Sequence, residues 1–329
     1  MSVSTTKLRF LYIMKTLLEQ TDEEHVMSAA DLEEALGGYG LTVERKSIYN
    51  DIETLEAFGL DIVQVRGGKK PGYYIASREF ELPELKLLVD AVQASKFITA
   101  RKSRELIAKL EKLAGRNGAG QLQRDVFIAS RVKTENETIY NNVDQIHAAM
   151  LGDRRIRFQY TEWSTSKRLV VKRGGEFYEV SPWMLTWDDE NYYMIAYEES
   201  SDLIKHYRVD KMRKTIVTDE SRQGRERFAG FDPASYTRKT FGMYGGREET
   251  VRLLCKNSAI GVIIDRFSRE IIVAPADETH SRVNVDVYVS PQFFGWLSGL
   301  GGDVIIEGPA SVRSEYRDFL QKIANEYNS

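Results

Sequence analysis

A change in the spacing of its apolar residues constrains this chain more than any other feature. From Thr6 to Met150 they recur at the period of an α-helix, whereas from Arg154 to Tyr207 they alternate with polar residues, as a strand requires. A chain patterned in this way segregates helices from sheets, which predicts an α+β protein. At 329 residues it also exceeds one ordinary core and divides into several domains.

The first stretch, 1–77, carries Leu8, Leu11, Met14, Leu17 and Leu18 as one helical stripe over Thr6 to Gln20. A second helix begins at Ser28, whose hydroxyl can cap the amide of Asp31, and stops at Gly37-Gly38. A third runs from Thr42 to Gly59 with Ile48, Ile52 and Leu55 facing inward, which leaves Arg45, Lys46, Ser47, Tyr49 and Asn50 for solvent or a ligand. Two β-like runs, Ile62–Val65 and Tyr73–Ile75, flank a turn carrying Arg66, Gly68, Lys69 and Lys70. Three helices and a basic-tipped hairpin spell a winged helix-turn-helix that binds double-stranded DNA. Its third helix supplies phosphate contacts and base-edge hydrogen bonds, with Asn50 suited to adenine.

Charge limits how such a domain can bind. The whole chain has a net charge of −3 and a pI near 6.0, and residues 1–77 hold eight Lys or Arg against twelve Asp or Glu. The DNA site must then be a local patch with few phosphate contacts per subunit, and a homodimer on paired half-sites compensates for that. Residues 78–151 repeat helical spacing at Leu85, Leu88 and Val92, at Leu106, Leu110 and Leu113, and at Ile139, Val143, Ile146 and Met150, interrupted at Gly115–Gly120. They read as a helical connector.

Short strands from Ile156 to Tyr207 predict a small β-barrel over 152–220, with Asp188-Asp189-Glu190-Asn191 as a hairpin turn. Residues 221–247, rich in Arg, Gly and Ser, read as a linker. The order of strands and helices over 248–329 matches a ferredoxin-like split βαβ arrangement with an added helix.

Catalytic signatures are missing: there is no HExxH, GxSxG, CxxC or phosphate loop, and the four histidines, His25, His147, His206 and His280, are scattered. An enzyme, a metal and a cofactor are not expected. The single cysteine, Cys255, forbids an internal disulfide and reads as a small buried hydrophobe. The longest apolar runs fall far short of the roughly 20 residues of a membrane span, and the N-terminus lacks a secretory pattern, so a cytoplasmic protein is expected. Within the barrel, Arg208 suits bidentate recognition of phosphate or carboxylate, although taken alone a salt bridge with Asp210 or another carboxylate is the more ordinary use. Trp183, Trp187, Tyr192 and Tyr197 read as core aromatics.

Three segments together resemble the WYL-domain transcriptional regulators: Val43–Leu55, then Ser181-Pro182-Trp183-Met184-Leu185, then His206-Tyr207-Arg208-Val209-Asp210-Lys211-Met212. Tyr192, Tyr193 and Met194 stand where that family has Trp, Tyr and Leu, and the region around Trp296 resembles the extension that follows its barrel. The resemblance implies an Sm-like or SH3-like barrel that senses an anionic effector, a nucleotide or short nucleic acid. It implies Tyr193, His206 and Arg208 as pocket residues, to which Tyr160, Ser181 and Trp183 are added from neighbouring strands. The expected protein is an effector-gated regulator. A nucleic-acid-binding accessory protein, gripping single-stranded RNA or DNA in the barrel, is the alternative.

Overall fold

The computed structural model describes residues 5–67, 70–122, 133–188, 190–229 and 231–328. It divides into two units, Met1–Glu135 and Asn136–Ser329, and mixes helices with sheets.

The first unit begins with α1 (Thr5–Gln20), α2 (Ala29–Gly38), α3 (Arg45–Phe58), β1 (Ile62–Val65) and β2 (Gly72–Ile75). Ile13, Leu17, Leu32, Leu36, Ile48, Ile52, Leu55, Ile62 and Ile75 form their common core. Each such aliphatic side chain removed from water contributes about 1.5 to 3 kcal/mol, which is how short helices of little intrinsic stability persist. Ser28 caps α2 as the sequence requires: its Oγ accepts from the Asp31 amide at 3.2 Å, and its own amide donates to the Asp31 carboxylate at 2.7 Å. Gly59 ends α3 in the left-handed region at φ 109°, a conformation that favours glycine. β1 and β2 pair antiparallel from Ile62↔Ile75 to Val65↔Gly72.

Three more helices follow among the described residues of this unit: α4 (Leu82–Ala94), α5 (Ala100–Leu113) and α6 (Gly115–Leu122). The last corrects the sequence reading, in which Gly115–Gly120 breaks the helical pattern. Leu122 is buried with Leu85 and Val89 of α4, so packing overrides the poor helix propensity of glycine. Gly118 lies so close to its neighbours that a Cβ there would sit 3.0 Å from the Ala114 methyl, so the small residue serves the contact.

The second unit opens with α7 (Ile139–Leu151), followed by β3 (Arg154–Trp163), β4 (Leu169–Val171), β5 (Tyr178–Asp188), β6 (Asn191–Glu198), β7 (Leu203–Arg208) and β8 (Met212–Ser221). These strands form one curled antiparallel sheet in the order β4-β3-β5-β6-β7, with β8 along the other edge of β3. α7, which periodicity placed in a connector, packs on β3 and β8 and buries Ile139, Ile146 and Ala149. Phe158, Tyr178 and Tyr207 fill the core, Tyr207 meeting Phe158 edge-on at 5.1 Å between ring centroids. β5 joins two runs that alternation separates, because a bulge at Pro182–Met184 lets the strand continue past a proline.

Residues 221–247, read as a linker from their composition, carry ordered structure. A 3-10 turn at Arg225–Phe228 leads to α8 (Pro233–Lys239), and Tyr236, Thr240, Phe241 and Met243 are buried. Linker-like composition did not register these spaced aromatics as packing groups. Beyond them come β9 (Arg247–Lys256), α9 (Ile260–Phe267), β10 (Val273–Pro275), β11 (His280–Val289), α10 (Pro291–Ser298), β12 (Val304–Gly308) and α11 (Ala310–Tyr327). Their sheet runs β10-β11-β9-β12 with every neighbour antiparallel. Val251, Leu253 and Cys255 of β9 alternate into a core shared with Ile263, Val285, Phe293 and Leu297. Burial pushes the Cys255 thiol up to about 11, so it behaves as a packing group and not as a nucleophile. Among the described residues no helix is long and apolar enough to cross a membrane.

Candidate nucleic-acid and effector sites

α3 presents its polar face because its other face is fastened down. Ile48, Ile52 and Leu55 are buried, and the buried Asp51 accepts a two-pronged bond from Arg9 of α1 at 2.6 and 3.0 Å. With that face fixed, Arg45, Lys46, Tyr49 and Asn50 are exposed and Ser47 is half-buried near the helix start. The side chains of Lys46 and Asn50 make no hydrogen bond or ion pair with the described residues. Arg45 lies 3.5 Å from Glu33, a weak solvent-exposed pair. Glu53 and Glu56 follow on the same helix, so the cationic groups of α3 are confined to its N-terminal half.

The hairpin stands across a groove of about 930 Å³ lined by Tyr49, Glu53, Gln64, Arg66 and Tyr73. Arg66 donates to Gln64 at 3.0 Å, and Gln64 donates in turn to the Tyr73 hydroxyl at 3.0 Å. Lys70 pairs with Asp31 at 3.0 Å, tying the hairpin to the α2 cap; burial opposes the charge on Asp31, but Lys70 and Ser28 hold its pKa below the usual value. Lys69, the remaining wing candidate, and Gly68 lie outside the described residues.

In the second unit the structure gathers the barrel candidates into two groups. Tyr160, Tyr193 and Arg208 form the first: Tyr193 is the register partner of Arg208, whose backbone amide donates to the Tyr160 hydroxyl at 3.1 Å. Burial pushes the Tyr160 phenol far above its ordinary range, so it remains a neutral hydroxyl. The Arg208 guanidinium forks onto Asp210 at 3.0 and 2.9 Å, the ion pair that the sequence left open. Burial pulls the Arg208 pKa down, but Asp210 outweighs it and raises the pKa; its side chain is 31% exposed and within reach of solvent. Lys211 lies beside it, its pKa lowered by burial and then by the Arg208 cation.

Ser181, Trp183 and His206 form the second group and hold other parts of the chain. The Ser181 hydroxyl accepts from the Gln223 amide at 2.8 Å, and the Trp183 indole donates to the Gln223 carbonyl at 2.9 Å and stacks on Phe228. His206 Nε2 lies 2.8 Å from the Tyr236 hydroxyl. Burial pushes the His206 pKa down to about 4, which a backbone hydrogen bond to Met243 opposes only in part, so the imidazole is neutral at physiological pH. Of the four aromatics read as core, Tyr197 is buried, but Trp187 is 51% exposed and stacks on Tyr192 at 4.8 Å.

Sequence reasoning missed what positions Arg208. The turn Val209–Lys211 after β7 is pinned by two fully buried asparagines: Asn136 donates to the carbonyls of Asp210 and Met212, both at 2.8 Å, and Asn142 donates to those of Val209 and Met212 at 3.2 and 2.9 Å. Asn142 also accepts from Thr215 at 2.9 Å. A polar residue three places after Ile139 and four before Ile146, inside an apolar helical stripe, was the available signal.

Comparison with known proteins assigns this unit. Residues 141–217 match the WYL domain and residues 247–324 match the WCX domain. The second unit therefore carries a WYL domain followed by a WCX domain. No curated protein matches the chain. Among solved structures it is similar to proteasome accessory factor B/C (PafBC) of Arthrobacter aurescens, at 18% identity and a TM-score of 0.28, over 98% of this chain and 49% of that one. This chain thus spans about half the length of PafBC. A CRISPR Cas-related protein is 12% identical with a TM-score of 0.35, over 100% of this chain and 87% of the other.

Proposed function

We propose that the protein is a non-enzymatic, sequence-specific DNA-binding transcription regulator, whose first unit is a winged helix-turn-helix and whose WYL domain gates it with an anionic effector. The observation that carries this reading is the pairing of a WYL domain with a unit whose α3 exposes Arg45, Lys46, Tyr49 and Asn50 beside a hairpin. Those groups suit the major groove, where an amide reads adenine and a lysine or arginine meets guanine or phosphate. The Sm-like reading of the barrel is supported by a helix followed by a curled antiparallel sheet, and the ferredoxin-like one by the order β10-β11-β9-β12. Because residues 1–77 are acidic overall, a homodimer reads two half-sites about 34 Å apart. The effector, a nucleotide or short nucleic acid, enters at Arg208, Tyr193 and Tyr160 and draws the guanidinium away from Asp210.

Footprinting on the upstream region of the protein's own gene tests this, with a protected palindrome as the expected result. On that site Asn50→Ala should cost about 1 to 3 kcal/mol and relax base preference at one position, whereas Lys46→Ala should weaken all sequences and lower the salt slope by about 1. Unchanged binding by both variants across a salt series would remove α3 as the reading element.

A further inference from the structure

We propose that residues 222–229, with Tyr236 of α8, form an autoinhibitory strap that occupies the Ser181, Trp183 and His206 face of the WYL sheet and is displaced when an effector enters. The proposal rests on the effector reading of Arg208 given above and adds a gate to it.

The strap lies on the sheet at three of the six predicted pocket positions, Ser181, Trp183 and His206. Gln223 takes both hydrogen bonds of Ser181 and Trp183, Phe228 covers the Trp183 ring at 5.0 Å, and Tyr236 takes His206. Gly224, at φ 78°, is pressed so close to Tyr197 that a Cβ would collide with the ring. On its far side Tyr236 rests against Tyr288 of β11 at 5.3 Å, so one residue touches both the effector face and the WCX domain.

Its fastening suits release. Gln223, Arg225, Glu226, Arg227 and Ala229 are exposed, so over 222–229 the packing is confined to Arg222 and Phe228 on the Trp183 ring and Gly224 on Tyr197, with the buried Tyr236 as the anchor beyond. Ion pairs add to this: Arg222 and Arg225 reach Asp153 at 2.9 and 3.4 Å, and Arg227 pairs with Asp202. The exposed pairs of Arg225 and Arg227 are each worth less than about 1 kcal/mol, and an anionic ligand competes for the same arginines, whereas Arg222 is also held by the Trp183 ring and the Pro182 carbonyl. An element held by few apolar contacts and several exchangeable ion pairs belongs to the low-stability end of a fold, from which moving parts are drawn.

Asp153 and Asp202 have φ of 53° and 50°, a region that asparagine also tolerates, so D153N/D202N loosens the clasp without straining the backbone or touching the effector candidates. Three measurements on the full-length protein decide the matter. Tryptic cleavage after Arg222, Arg225 and Arg227 should accelerate about tenfold in the double variant, following the population of the open form. The His206 titration, followed by NMR, should move up from about 4 toward the ordinary 6.5. A 5′-phosphorylated thymidine trinucleotide should bind the double variant several-fold more tightly than the wild type, and Arg208→Ala weakly or not at all. Unaltered cleavage and titration in the double variant would overturn the ionic clasp. A loosened strap whose trinucleotide affinity equals that of the wild type, with Arg208→Ala still defective, would overturn the gate alone. Binding by none of the three forms would overturn the effector reading, and the gate with it.

Discussion

The face of α3 proposed to read DNA and the face of the WYL sheet proposed to sense an effector contain the same kinds of residue and treat them in opposite ways. On α3, Lys46 and Asn50 stand in solvent with no partner among the described residues, because the buried Ile48, Ile52 and Leu55 and the Arg9–Asp51 pair fix the helix from behind. In the barrel, Arg208 already holds Asp210, Ser181 and Trp183 already hold Gln223, and His206 already holds Tyr236. A face that reads DNA gains by presenting unspent hydrogen bonds. A face that senses must exchange one partner for another, since a ligand shifts an equilibrium only by preferring one state over the other.

Removing what holds the barrel side in place should have the largest effect. Asn142→Ala leaves the carbonyls of Val209 and Met212 and the Thr215 hydroxyl short of a buried partner, and should cost about 3 kcal/mol, a Tm drop of about 6 to 12 °C for a unit of this size. A calorimetric drop below about 2 °C would break the claim that the Arg208 turn is positioned from α7.

A smaller effect is expected from acid. His206 binds its proton at about 4 in the folded protein against 6.5 when exposed, so the unfolded chain protonates first as the pH falls. Stability is therefore complete above about 6.5 and declines by roughly 2 kcal/mol on the way to pH 5. His206→Gln should flatten that slope relative to wild type; parallel denaturation curves across the range would show that the face is open to solvent and not covered.

Least is expected from Arg208→Ala measured by stability alone. The Arg208–Asp210 pair is partly exposed and screened, and its loss should cost under about 1 kcal/mol while the effector response disappears. A large fall in Tm would return Arg208 to a structural role and erase the difference between the two faces.

How much of this was legible beforehand depends on distance along the chain. Ser28 and Asp31 lie three residues apart, and the capping box they form was readable from that spacing. So was the outward placement of Lys46, Tyr49 and Asn50, which follows from the inward placement of Ile48, Ile52 and Leu55 on one helix. The strap was not legible: Gln223 lies 42 residues from Ser181 and Tyr236 lies 30 from His206, and Arg-, Gly- and Ser-rich composition resembles that of a solvated linker.

The sequence alone determined the division into helical and sheet regions, the faces each element would bury, and the few residues with the chemistry to meet an anion. Those properties depend on period and side-chain type, which act over a few residues. Tertiary structure alone decided which of those residues remain unpartnered, that α7 packs on the curled sheet, that Gly115–Leu122 is helical, and that residues 222–229 lie across the sheet. Partnership and burial depend on groups that the fold brings together from positions tens of residues apart, and local pattern carries no record of that distance.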